Sequence, residues 1–155
     1  MSREFKETYE DIKIAPPMKR LGAFVYDMML IVSLLMVSSG IMLTLNDGEA
    51  LDKSPYFALY QSALFVIVYC FLTYFWTRKG QTLGMLAWRL RVQTTEGERL
   101  SLGKCLVRYL VGILSLACFG AGFLWMFFNK QKLTWHDIAS GSHVVELPKR
   151  AKILE

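Results

Sequence analysis

Four charged residues lie within or against apolar stretches of this chain: Arg20, Asp27, Arg108 and Asp137. Asp27 stands about six positions into the first apolar run, roughly 9 Å along a helix from Leu21. A carboxylate in hydrocarbon costs about 2.5–3.5 kcal/mol on insertion scales unless it is paired, wetted or protonated. The chemistry open to it is the binding of a cation or a proton. Arg20 lies two helical turns earlier on nearly the same face. It would then bias the state of Asp27. The alternative is a structural lock, in which Arg20 snorkels to the headgroups and Asp27 caps or bridges another helix. Arg108 is a rival or additional partner for Asp27. Asp137 follows Trp135 and His136, and reads either as a helix-capping aspartate at the interface or as part of a cytoplasmic-facing polar cluster with Arg20 or Arg108.

Other candidate chemistry is thin. His136 and His143 stand in different local contexts and do not make a metal site, so no metal and no cofactor is expected. Gly80-Gln81-Thr82-Leu83-Gly84 is glycine-rich but lacks the Lys-Ser/Thr ending of a phosphate loop, and reads as a membrane-surface turn into a short helix. Cys70, Cys105 and Cys118 are odd in number, match no redox or metal spacing, and read as buried small hydrophobes. No nucleophile, base and orienting group come together, so an enzyme is not expected.

The elements that must position these residues belong to a membrane protein. The 155-residue chain is 54% hydrophobic and 20% charged, with a mean hydropathy of +0.32. A soluble domain of this size cannot hide that much apolar surface. The net charge of +5 fits positive ends held against anionic lipid better than it fits nucleic acid. No cleavable signal, internal repeat or low-complexity tract is evident.

The expected organisation is a polar N-terminal tail over 1–19, a membrane domain over 20–147 and a basic C-terminal tail over 148–155. Within the domain, runs at about 21–45 and 56–76 are each long enough to span. Pro16-Pro17 ends any helix carried over from the tail, and Pro55 is placed to start the second span. Segment 77–104 is polar and basic. It predicts a short amphipathic helix over 82–89, a strand over 90–94 and a tight turn at Glu96-Gly97-Glu98, making a small surface hairpin. A third apolar region covers 105–128, and an interface segment over 129–147 contains a strand-like run at 143–147.

Basic residues put the N-terminus and segment 77–104 in the cytoplasm, and the acidic 46–54 loop outside. A single crossing by the third region would strand the basic tail outside. A re-entrant or broken hairpin turning at Gly120-Ala121-Gly122 keeps it inside and lets 144–147 pair with 90–94 in one sheet; the turn must then be buried against protein. The expected fold is therefore an all-α membrane protein with two full spans, such a hairpin and a small cytoplasmic sheet.

Three blocks in order, Met18 to Asp27, Gly80 to Gly84 with Leu90-Arg91-Val92, and His136 to Val145, resemble the RDD family of bacterial membrane proteins. The likeness covers about residues 18 to 147, departing slightly at Ser142, where the family commonly has Thr. The arginine and two aspartates of the family's name fall by motif match on Arg20, Asp27 and Asp137. The resemblance implies a bacterial inner-membrane location, and a Na⁺/H⁺ exchange role has been proposed for some members. Two functions are expected from it and from the buried charge. One is cation- or proton-coupled transport by a homo-oligomer, because three short apolar regions cannot enclose a pathway alone. The other is a scaffold or accessory subunit that holds a membrane-protein partner through segment 77–104 and the basic tail. One polar residue per span is lean for a transporter; the family's proposed role pulls the other way.

Overall fold

The computed structural model describes residue 5, residues 12–49 and residues 55–148. The basic tail from 149 onward, most of the polar N-terminal tail and the 50–54 part of the acidic loop lie outside the described residues.

Strand β1 (Lys13–Ile14) leads into the long helix α1 (Pro17–Leu45). Pro17 takes the first helical position, where its missing N–H is no loss. After the Asn46–Gly48 turn, helix α2 (Phe57–Arg78) runs through the second apolar stretch. Its cap is Tyr56, so Pro55 precedes the helix rather than opening it. Both helices are long and apolar enough to cross a membrane. Their most apolar stretches are 0% and 6% buried within the protein, so those side chains need a non-aqueous surround that the chain does not supply.

Segment 77–104 forms helix α3 (Leu83–Ala87) and strand β2 (Leu90–Thr94). The turn after β2 closes as expected, with Gly97 N donating to Thr94 O at 3.0 Å and Thr94 N to Glu98 O at 2.9 Å. The returning limb is not a strand, however, so the expected local hairpin is replaced by long-range pairing. Strand β2 pairs antiparallel with β3 (Ser142–Glu146), Val92 opposite Val144, and β1 adds to the other edge of β3, Ile14 opposite Val145. The order is β1-β3-β2. Within the polar N-terminal segment, Lys13 and Ile14 join the sheet as β1. Phe5 is anchored too, its ring 4.1 Å from the Arg91 guanidinium.

The third apolar region divides into α4 (Leu102–Ala117) and α5 (Ala121–Phe128), which meet at a 95° bend. The break falls at Gly120, whose φ of +76° favours a residue without Cβ. The limbs are near perpendicular rather than antiparallel. Helix α6 (Trp135–Ser140) then carries the chain back to β3. Helix α4 is inside-out: Arg108 and Ser115 are buried while Leu106, Leu110 and Leu114 are exposed. Of the cysteines only Cys105 is buried; Cys70 and Cys118 are exposed in the isolated chain, against expectation. The small core lies under the sheet, where Leu90, Val92 and Val144 meet Ala23, Trp76 and Cys105.

Candidate functional site: two carboxylates and one cavity

The short helix α6 owes its start to a pattern readable in sequence, Thr134-x-x-Asp137. Thr134 Oγ1 accepts from Asp137 N at 3.4 Å, while Asp137 Oδ2 accepts from Thr134 N at 3.1 Å, a reciprocal capping box. Capping fixes the Asp137 carboxylate between α1 and α4. Arg20 Nη2 donates to Oδ2 and Arg108 Nη1 to Oδ1, so both guanidiniums converge on one fully buried carboxylate. Arg20 Nη1 also donates to Lys132 O at 2.6 Å, and Arg108 Nη1 to Ser142 Oγ at 2.8 Å. Ser142 joins Ser140 at 2.7 Å, and Ser140 Oγ donates to His136 O at 2.6 Å. The Arg108 guanidinium lies 5.4 Å from the Trp76 ring centre.

The protonation states follow from these neighbours. Burial disfavours the charged Asp137 carboxylate, but Arg108 and then Arg20 outweigh it and hold the group well below the usual carboxylate range. Burial, reinforced by Arg108, pushes the His136 imidazole down to about 3, so it is neutral. The centre thus sets two guanidiniums against one carboxylate.

Asp27 is elsewhere. Its expected partner Arg20 is spent on Asp137, and Arg108 does not reach Asp27 either. Instead Thr82 Oγ1 donates to Asp27 Oδ2 and Gly84 N donates to Oδ1 at 2.9 Å. Thr82 also caps α3, accepting from Met85 N at 3.2 Å. Among the described residues Asp27 has no ion-pair partner.

The Gly80–Gly84 motif therefore has a structural meaning the sequence did not disclose. Gly80 O accepts from Val92 N at 2.7 Å. Gln81 Nε2 donates to Leu90 O at 2.8 Å, tying the turn to the sheet. A Cβ on Gly84 would lie 2.3 Å from Ala23 O and 2.9 Å from Asp27 Cγ. The absence of a side chain lets α3 lie directly on α1. Gln81 and Thr82 are buried, so the turn into α3 is docked against the rest of the fold.

Asp27, and from the Asp137 centre Arg20, Arg108 and His136, border a cavity of about 600 Å³ between α1, α2 and α4. Arg20, Arg108 and His136 lie at its sheet end; Asp27 and Thr82 flank it, and aliphatic, aromatic and methionine side chains make most of the remaining wall. Gln61 and Tyr109 also line it, neither singled out in sequence because an isolated amide or phenol in an apolar run carries no spacing signal. His143 is apart from this centre, beside Gln93 at 3.3 Å. Among the described residues no group of three or more His, Cys, Asp or Glu side chains gathers as a metal site.

No curated protein and no solved structure gives a significant match. The sequence model of the RDD family matches residues 14–141, which takes in Ile14 of β1, the docking turn and the capped Asp137. The chain belongs to the RDD family.

Proposed function

We propose that this protein resides in the bacterial cytoplasmic membrane and carries a cation or proton as an oligomer, with Asp27 as the working carboxylate. One observation carries the reading: Asp27, within α1, borders the cavity without an ion-pair partner among the described residues, whereas Asp137 is neutralised by two arginines. The hydrogen bonds from Thr82 and Gly84 hold the carboxylate in place and leave its charge uncompensated. Such a group is a binding site by default in a membrane segment.

The topology supports an even number of crossings. Strands β1, β2 and β3 precede α1, follow α2 and follow α5, yet share one sheet. With α1 and α2 as the two spans, the α4–α5 region enters and leaves on the sheet side as a re-entrant element. The basic residues of 77–104 then put that side, and both ends of the domain, in the cytoplasm against anionic lipid. Three short apolar regions cannot enclose a pathway alone, which favours several copies or a membrane-protein partner.

Reconstituted vesicles test the transport reading. Asp27→Asn keeps an acceptor for Gly84 N–H and should fold. It should lose cation- or proton-driven flux that the wild-type protein shows; equal flux from a folded variant rejects the assignment.

A second reading, an accessory subunit, is favoured by a shallow cleft on the outer side of α1 and α3, formed by Tyr26, Met29, Leu30, Ser33, Leu83 and Ala87. Recovery of only self in a pull-down from native membranes would count against it.

A further inference from the structure

Three buried polar atoms have no hydrogen-bond partner among the described protein groups, and their side chains line the same cavity: Trp76 Nε1, Arg108 Nε and His136 Nδ1. The residues come from α2, α4 and α6 and are 7%, 4% and 6% exposed. Buried polar atoms are ordinarily paired, and leaving one orphaned is costly. Trp76 Nε1 and Arg108 Nε can only donate, so what satisfies them is an acceptor. Beside them Arg20 and Arg108 face a single carboxylate, Asp137, which leaves this end of the cavity with positive charge in excess. Asp27, the other acid on the wall, lies two helical turns further along α1 and is held by Thr82 and Gly84.

Away from the charged end the wall is mostly apolar, with Ile31 and Leu35 from α1, Val68 from α2, and Ile113 and Leu116 from α4, interrupted by Asp27, Thr82, Gln61 and Tyr109. The volume of about 600 Å³ falls in the range of small-molecule sites. A donor-rich, cationic end joined to an apolar shaft is complementary to an anionic amphiphile. The shaft runs between helices whose outer faces are themselves apolar and unburied, which makes the bilayer the nearest source.

We propose that this cavity holds one anionic phospholipid of the surrounding bilayer, with phosphate oxygens accepting from Arg108 and Trp76 and one acyl chain between α1, α2 and α4. The site requires neither titration nor flux at Asp27, so it goes beyond the transport reading and survives that reading's failure.

Gly112 provides the test. It lines the cavity, and a Cβ there meets nothing within 4 Å, so Gly112→Phe fills the shaft without collision at its base. Wild-type and variant proteins are placed in nanodiscs of equal phosphatidylglycerol and phosphatidylcholine, and the lipids retained on release are read by native mass spectrometry. The wild-type protein should keep one phosphatidylglycerol per chain in preference to phosphatidylcholine. Gly112→Phe should reduce that retention at least about tenfold with an unchanged unfolding midpoint. Trp76→Phe should keep the shaft but lower the headgroup preference by about threefold or more. Equal retention by folded Gly112→Phe, or no headgroup preference in the wild-type protein, overturns the site. If Gly112→Phe lowers the unfolding midpoint, Trp76→Phe decides alone, and an unchanged preference there overturns it.

Discussion

At the sheet end of the molecule Asp137 accepts from Arg20, Arg108 and the Thr134 backbone N–H, and no part of it is exposed. Two turns into α1, Asp27 accepts from a threonine hydroxyl and a glycine N–H, is half-buried and borders the cavity. The two carboxylates differ in what their neighbours do about charge. Around Asp137 two elements supply compensating cations, Arg20 from α1 and Arg108 from α4, so the group joins α1, α4 and α6 and is held in one ionisation state. Around Asp27 the neighbours supply dipoles only. A buried acid that is fully paired serves assembly; an acid that is positioned but unpaired can exchange a proton or cation.

The largest break in that contrast is Asp137→Ala. It leaves two guanidiniums buried without a counter-charge, and loss of about 3–5 kcal/mol is expected, read as a sharply lowered unfolding midpoint in detergent. Gly84→Ala comes next. Its methyl would meet Ala23 O and Asp27 Cγ well inside contact distance, forcing α3 off α1 at about 1–3 kcal/mol.

Acid sharpens the contrast. The unfolded His136 titrates near 6.5 and the folded one near about 3, so the unfolded chain takes up a proton that the folded chain refuses. Stability from this group is whole above pH 6.5 and falls as the pH drops toward 3. Asp137 acts in the same direction below its ordinary 3.8, because its folded carboxylate stays charged while the unfolded one is protonated. Unfolding midpoints measured from pH 7 to pH 4 should fall, and His136→Gln should flatten the slope. The smallest effect belongs to Lys19→Ala. The Lys19–Glu146 pair is 38% and 29% exposed at its side chains, and its loss should cost no more than about 1 kcal/mol.

Much of the fold was legible because it rests on length and periodicity. The two long helices followed from long apolar runs, the first broken only by Asp27, and the β2–β3 pairing from two strand-like runs placed on one side. Strand β1 was not legible: Lys13 and Ile14 pair with β3 through backbone groups, which leave no side-chain pattern in so short a run. The break at Gly120 was readable from its glycines, but its 95° angle is set by packing, including Phe123 against Phe24 at 4.5 Å.

At the site, unexpected charge in apolar stretches picked out Arg20, Asp27, Arg108 and Asp137, but not how they pair. Helical spacing put Arg20 in line with Asp27, yet the arginine turns to a carboxylate 117 positions away in sequence. Spacing along one helix reports which groups share a face, whereas pairing depends on which other element arrives at that face. The Gly80–Gly84 turn had no recognisable chemistry for the same reason: its glycine matters because of the α1 backbone lying against it.

The measurement that bears most directly on the division between the two carboxylates is flux and unfolding on the same samples of Asp27→Asn and Asp137→Asn in proteoliposomes. If the division holds, Asp27→Asn unfolds close to the wild-type midpoint and carries no cation- or proton-driven flux, while Asp137→Asn is strongly destabilised. Wild-type flux through folded Asp27→Asn, or a stable Asp137→Asn, would contradict it.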